Sequence, residues 1–165
     1  MKAPNFGEIF PLLHRAGVDF ILVGGGAATA HGSARITQDV DIVYSRSTEN
    51  QRRVVEALRP YDPYPRGAPR GLPFQWDERT LKAGLNFTLH TSLGLIDILG
   101  EVTGGGSYEQ LLPHTTVIES YGVPIRIVTL EKLIQLKRAA GRPKDFEALS
   151  ELQALLEERQ KQSEN

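Results

Sequence analysis

Two aspartates one residue apart stand in a short apolar segment, Gln38-Asp39-Val40-Asp41-Ile42-Val43. If the segment is a strand, Asp39 and Asp41 point to the same face, because side chains alternate along a strand with a period of two. Adjacent carboxylates repel each other, and a divalent cation removes that repulsion. Oxygen ligands of this kind suit Mg²⁺, which binds one or two carboxylates together with substrate phosphates.

A third acid, Asp97, stands alone in the apolar run 95–99. A single acidic residue in a buried strand is rare unless it is paired or bound to a metal. We therefore predict that Asp97 joins Asp39 and Asp41 in one metal site. The alternative for the first pair is a position on an exposed edge strand, although aspartate is depleted in strands.

Consecutive glycines follow the apolar run 20–23, namely Gly24, Gly25 and Gly26. Glycines between a strand and a helix let backbone N–H groups approach a phosphate, and the helix N-terminus favours the anion. Together with the carboxylates, this turn predicts nucleotide chemistry. One alternative is a tight turn without a ligand. A dinucleotide fingerprint is a second alternative, but Thr29 replaces its last glycine and the acids lie within the next strand instead of at its end.

These motifs, with His31-Gly32-x-x-Arg35-x-Thr37 between the glycines and the first two acids, resemble the DNA polymerase β-like nucleotidyltransferase superfamily. The similarity is greatest to its small bacterial branch, the minimal nucleotidyltransferases and the AbiEii-like toxin–antitoxin proteins. It covers residues 20–45 strongly and residues 93–150 moderately, including the segment 141–145. The resemblance implies an α/β (α+β) fold with a short mixed sheet, flanking helices and C-terminal helices.

The resemblance also implies roles for individual residues. Gly24 and Gly25 would hold the triphosphate of an NTP, and Arg35 and Thr37 fall within the motif beside them. The metals would bind to Asp39, Asp41 and Asp97, and Asp97 would also help to deprotonate the acceptor hydroxyl. The implied cofactor is Mg²⁺, with two ions expected and Mn²⁺ as an alternative.

Lys137 follows Leu130, Leu133 and Ile134 at helical spacing, so it shares their apolar face. We predict that it binds the triphosphate; the alternative is a lysine whose stem packs while its head reaches water. Arg142 and Lys144 are predicted nucleotide ligands, with a solvated turn between helices as the alternative. For Arg35 the alternative is a pair with a local acid. His31 is expected to be a helix-end histidine rather than a metal ligand.

Periodicity and turn residues predict the elements that position these groups. The predicted helices cover residues 5–15, 25–31, 48–58, 107–112, 129–141 and 143–158, and the predicted strands cover 19–24, 38–44, 86–91, 93–99, 116–119 and 125–128. Five prolines and two glycines make residues 60–73 a loop. We expect this loop, with Arg66 and Arg70, to border the active cleft. Residues 1–159 are expected to form one domain and residues 160–165 a disordered tail.

The bulk composition is that of an ordinary globular chain, with 165 residues, 40% hydrophobic residues and a formal net charge of −1. It does not indicate binding to nucleic acid over the whole surface. There is no cysteine, which excludes disulfides and thiolate metal sites. With no run of membrane-spanning length and no signal-like segment, we expect a cytoplasmic location and no membrane partner.

We predict a Mg²⁺-dependent nucleotidyltransferase that moves an NMP from an NTP to a hydroxyl on an RNA end, a protein or a small molecule. A toxin–antitoxin role is included in this prediction. The alternative is a non-catalytic antitoxin or partner-binding subunit that binds a nucleotide. The chain is short for a separate substrate domain, so we expect a partner protein or a second copy of the chain to complete the cleft.

Overall fold

A seven-stranded mixed sheet with surrounding helices forms the protein, as expected from the sequence. The computed structural model describes residues 4–164, and the statements below concern these residues. The helices are α1 (Phe6–Arg15), α2 (Gly24–Ala30), α3 (Thr48–Leu58), α4 (Glu78–Ala83), α5 (Tyr108–Leu111), α6 (Leu130–Ala140) and α7 (Pro143–Ser163). The strands are β1 (Phe20–Val23), β2 (Asp39–Tyr44), β3 (Tyr64–Pro65), β4 (Asn86–Thr91), β5 (Gly94–Leu99), β6 (Glu101–Val102), β7 (Gly106–Ser107), β8 (Thr115–Ser120) and β9 (Val123–Val128).

The strands of the main sheet lie in the order β3-β4-β5-β2-β1-β9-β8, and β6 and β7 form a separate pair. Strand β2 runs parallel to β5, and β1 runs parallel to β9. The other neighbours in the main sheet are antiparallel. Consequently the two strands that carry the predicted metal ligands lie side by side in the middle of the sheet.

Apolar residues on the strands and helices explain why these elements pack together. All four residues of β1 are buried, as are Val40 and Ile42, which alternate with the aspartates of β2. Helix α6 buries Leu133 and Ile134 on the face predicted for it. Thr129 caps this helix through the backbone N–H of Lys132, and Gly141 ends it at φ +65°. Hydrophobic burial thus fixes which face of α6 packs into the core, against α2 and α7.

The segment after α3 contains more regular structure than the loop predicted over residues 60–73. Strand β3 lies within it and pairs with β4 at the edge of the sheet, where proline is tolerated. Helix α4 follows, with Asp77 accepting a hydrogen bond from the backbone N–H of Thr80 as its cap. Both elements are too short for their periodicity to be read from the sequence. Helix α7 also continues to Ser163, so the expectation of disorder for residues 160–163 differs from their helical structure.

The direction of β2 excludes the dinucleotide-binding alternative. That motif requires a helix that connects two parallel strands. Here β2 returns antiparallel to β1 after the short helix α2, with Val23 opposite Asp41.

No helix among the described residues is both long and apolar enough to cross a membrane.

Candidate active site

The three predicted acids meet on one face of the sheet. The parallel register of β2 and β5 places Asp41 opposite Asp97, and Asp39 is two residues earlier on the same face. Each residue offers a carboxylate oxygen that lies within 4.8 Å of those of the other two. The convergence predicted from the sequence is therefore present.

The glycine turn lies directly against these acids. Gly24 has φ +64°, and a Cβ atom placed on it would lie only 2.2 Å from Oδ2 of Asp41. A Cβ on Gly25 would lie 2.6 Å from Oγ1 of Thr37. Both positions thus require glycine, because a side chain would strain the backbone or collide with its neighbours. Thr37 is held by a hydrogen bond from its hydroxyl to the carbonyl oxygen of Asp39 at 2.9 Å.

The crowding of carboxylates changes their acidity. Burial raises the pKa of Asp41 to about 8, and the charge of Asp39 and a hydrogen bond with Asp97 add to this rise. Burial likewise raises the pKa of Asp97, although the hydrogen bond with Asp41 and the charge of Arg66 oppose it. At neutral pH the pair of Asp41 and Asp97 therefore retains a proton when no metal ion is bound.

This donor set fits a divalent metal. Three oxygen donors without nitrogen or sulfur suit a hard cation, and their spacing lets one ion reach all of them at about 2.0–2.6 Å. A cation would replace the shared proton and relieve the repulsion that raises the pKa values of Asp41 and Asp97. The ligands would be Asp39, Asp41 and Asp97.

Arg66 is part of this site, although it was predicted only as a residue on a bordering loop. Its Nη2 lies 2.5 Å from Oδ1 of Asp97, and its Nη1 lies 3.7 Å from Oδ2 of Asp39. By contrast, Arg70 points elsewhere: it pairs with Asp62 at 3.4 Å and stacks over the ring of Tyr64 at 4.4 Å. The expectation that both arginines border the cleft therefore holds for Arg66, whereas Arg70 makes its contacts within its own loop.

Two of the predicted phosphate ligands are held by a buried acid that sequence reasoning missed. The side chain of Asp145 is fully buried and lies 3.5 Å from Nζ of Lys137 and 2.6 Å from Nε of Arg142. Burial opposes ionisation of Asp145, but its hydrogen bonds and the positive charges of Arg142 and Lys137 prevail and lower its pKa. The available signal was an acid three residues after Arg142, with Pro143 at the helix start. Asp145 thus fixes both cations toward one cavity.

The remaining predicted ligands also line this cavity. Arg35 forms an exposed ion pair with Glu147 at 3.5 Å, an acid 112 residues away in the chain, whereas the alternative stated for Arg35 was a pair with a local acid. Glu151 holds the same segment by accepting hydrogen bonds from Ser33 and the backbone N–H of Ala34. The cavity has a volume of about 730 Å³. Its walls include every predicted site residue: Gly24, Gly25, Arg35, Thr37, Asp39, Asp41, Asp97, Lys137, Arg142 and Lys144.

His31 has a structural role, as expected. Its Nε2 lies 2.7 Å from the carbonyl oxygen of Val128, and its Nδ1 lies 3.0 Å from Nη2 of Arg159. A carbonyl only accepts and a guanidinium only donates, so the ring is neutral with its proton on Nε2. Burial lowers the pKa of His31, which agrees with this assignment. His31 therefore ties α2 to β9 and α7.

Solved structures with a similar fold are nucleotidyltransferases or resemble them. The lincosamide antibiotic adenylyltransferase LnuA, solved with lincomycin bound, aligns with a TM-score of 0.63 and 15% identity over 93% of this chain and 99% of its own. A protein from Thermotoga maritima, provisionally described as a nucleotidyltransferase, aligns with a TM-score of 0.55 and 15% identity over 87% of this chain and 88% of its own. An antigenic nucleotidyltransferase-like protein from Paracoccidioides brasiliensis aligns with a TM-score of 0.56 and 14% identity over 90% of this chain and 72% of its own.

Sequence comparison adds no closer relative: no protein-family model matches the chain, and no curated protein does. The small bacterial branch predicted from the motifs therefore stays a prediction. Structural similarity at about 15% identity establishes architecture, and here it extends over nearly the whole chain. The protein shares its fold with these nucleotidyltransferases and nucleotidyltransferase-like proteins.

Proposed function

We propose that the protein transfers a nucleoside monophosphate from an NTP to a hydroxyl group with the help of Mg²⁺. The observation that carries this proposal is the convergence of Asp39, Asp41 and Asp97 beside a glycine turn and a cationic wall within one cavity. Carboxylates for metal and cations for phosphate are the parts that phosphoryl transfer requires.

Different residues of the chain act on the leaving group and on the acceptor. Lys137 and Arg142, on the side of α6 and α7, bind the triphosphate and hold its pyrophosphate portion as it leaves. Asp97 faces the acceptor, whose hydroxyl oxygen forms a bond to the α-phosphorus while the bond from that phosphorus to the pyrophosphate oxygen breaks. The proton of the hydroxyl passes to the carboxylate of Asp97. The chemistry that Mg²⁺ supplies when bound is activation of the attacking oxygen and neutralisation of negative charge on the phosphates.

The acceptor side of the cavity favours a small molecule. Attacking and leaving oxygens lie on opposite sides of the reacting phosphorus. With the glycine turn and cations on one side, the acceptor wall consists of β4 and the start of β6, where Asn86, Thr88 and Glu101 line the cavity. Polar and acidic groups fit a hydroxylated or amine-bearing molecule better than a phosphate backbone. LnuA, which has the same fold, was solved with the small molecule lincomycin.

The test is an incubation of the protein with each α-³²P-labelled NTP, Mg²⁺ and, separately, cell RNA, cell protein or a library of hydroxylated small molecules. We expect label in a small-molecule product, and loss of this label in Asp41→Asn. Asp62→Asn is the matched control, because Asp62 is an exposed acid that pairs with Arg70 outside the cavity. NTP binding without labelled product in any fraction would support the non-catalytic subunit instead. Label in RNA or protein would overturn the choice of acceptor and leave the reaction type intact.

A further inference from the structure

Arg66 occupies the acceptor side of the three carboxylates. Its backbone N–H donates to the carbonyl oxygen of Thr88 at 2.9 Å, and Thr88 lies directly opposite Asp97 across β4 and β5. From this anchor the guanidinium extends over the sheet to Asp97 and Asp39. The guanidinium of Arg66 therefore already places a positive charge beside the carboxylate oxygens that a divalent cation would bind.

The hydrogen-bond donors of the Arg66 side chain are only partly satisfied. Its Nε is buried and has no hydrogen-bond partner, and it is the one buried side-chain nitrogen or oxygen in that condition among residues 4–164. A buried donor without an acceptor destabilises the arrangement that contains it. The pairing with Asp97 and Asp39 thus compensates for a cost that Arg66 would escape by moving into solvent.

The segment after Arg66 is exposed to solvent at both of its glycines. Gly67 has φ +79° and Gly71 has φ +98°, and a Cβ atom on either would contact nothing within 4 Å. The segment is held at its base by Tyr64, whose hydroxyl donates to the carbonyl oxygen of Pro69. Displacing the guanidinium would therefore require little repacking of the core.

We infer that Arg66 acts as an internal substitute for the metal: it pairs with Asp97 and Asp39 in the metal-free protein, and metal binding displaces it from the acceptor wall. This inference rests on the proposed function, since it requires a metal at the three carboxylates. Two cations close to the same oxygen repel each other strongly in a partly buried cleft. Metal binding is consequently coupled to the departure of Arg66 from the acceptor wall. The metal therefore binds before the acceptor does.

The affinity for Mn²⁺ alone, titrated by calorimetry at mildly alkaline pH to limit competition from protons, tests this competition. We expect Arg66→Met to bind Mn²⁺ about 10- to 150-fold more tightly than the parent, the ratio for one charge-assisted hydrogen bond that no longer has to be broken. The matched control is Arg70→Met, which removes the same charge from the same loop but from the pair with Asp62, and it should bind like the parent. Equal or weaker binding by Arg66→Met, in a parent that does bind Mn²⁺, overturns the inference and leaves the proposed function standing. A parent that binds no Mn²⁺ alone overturns the inference, and the labelling experiment with NTP then decides the proposed function separately.

Hydrogen exchange of the parent gives a second measurement that needs no variant. We expect saturating Mg²⁺ to increase amide exchange in residues 66–72, because the ion pairs of Arg66 with Asp97 and Asp39 no longer hold its side chain against the sheet. Exchange in β5 should slow or stay unchanged under the same conditions. Unchanged or slower exchange in residues 66–72 contradicts displacement of Arg66, whatever the behaviour of the variants.

Discussion

Replacing Asp41 with asparagine should stabilise the metal-free protein while abolishing transfer. The amide keeps the size of the side chain and removes one of three converging acidic groups. It also removes the cost of ionising a buried carboxyl group whose pKa is raised to about 8 from its ordinary value of 3.8. A purely structural acid would behave in the opposite way, because its loss would break contacts that support the fold.

The magnitude follows from the difference between the two pKa values. At pH 7 the folded protein keeps the proton on Asp41 while the unfolded chain has released it, so the unfolded state is favoured by at most about 4 kcal/mol. Water in the cleft reduces this ceiling, and we expect a gain of about 1–3 kcal/mol for the variant. For a chain of this size that is a rise in Tm of about 2–4 °C per kcal/mol.

The sign of the pH dependence gives a second criterion. Because the folded pKa of Asp41 is raised, its contribution to stability is present at acidic pH and is lost as the pH rises from 3.8 through about 8. The stability of the parent should therefore fall over this range more steeply than that of Asp41→Asn.

The assay is thermal unfolding in the presence of a chelator, from acidic to alkaline pH, with Asp62→Asn as the exposed control. Adding Mg²⁺ should raise the Tm of the parent and have a smaller effect on Asp41→Asn. A fall in Tm of several degrees for Asp41→Asn at neutral pH would refute the reasoning.

Three further predictions concern the walls of the cavity. Lys137→Met should weaken NTP binding about 10- to 100-fold and lower the Tm only slightly, since the apolar stem remains and Arg142 still pairs with Asp145. Fluorescence titration with nucleotide, compared with Arg138→Met as an exposed cation on the same helix, measures the affinity, and an affinity equal to that of the parent would make Lys137 a packing residue. Asp145→Asn should lower the Tm at neutral pH, and less so at acidic pH, because the folded pKa of Asp145 is lowered and its contribution is lost as the pH falls; a pH series of melting curves tests this. Gly24→Ala should abolish transfer and lower the Tm, because the new methyl group would meet Asp41 at a left-handed φ, and an unchanged Tm would contradict the close approach.

Much of the candidate site could be predicted from local patterns alone. The alternation of apolar and acidic residues in β2 places Asp39 and Asp41 on one face, since side-chain direction in a strand depends only on parity. An isolated Asp97 in an apolar strand and consecutive glycines after β1 are likewise visible in a few residues each. The boundaries of α6 are equally local, because a threonine cap and a left-handed glycine mark them.

The tertiary structure decided what depends on residues far apart in the chain. The parallel register of β2 and β5 aligns Asp41 with Asp97, and the antiparallel β1 and β2 exclude a dinucleotide motif; no local period encodes either pairing. The same holds for Arg66, which lies 31 residues before Asp97 and on the neighbouring edge of the sheet. The contact between Arg66 and Asp97 exists because β3 pairs with β4. Strand β3 has only two residues and is too short to leave a periodic signal in the sequence. The sequence by itself therefore determined which chemical groups are present and which face they take, and long-range strand pairing determined which of them meet.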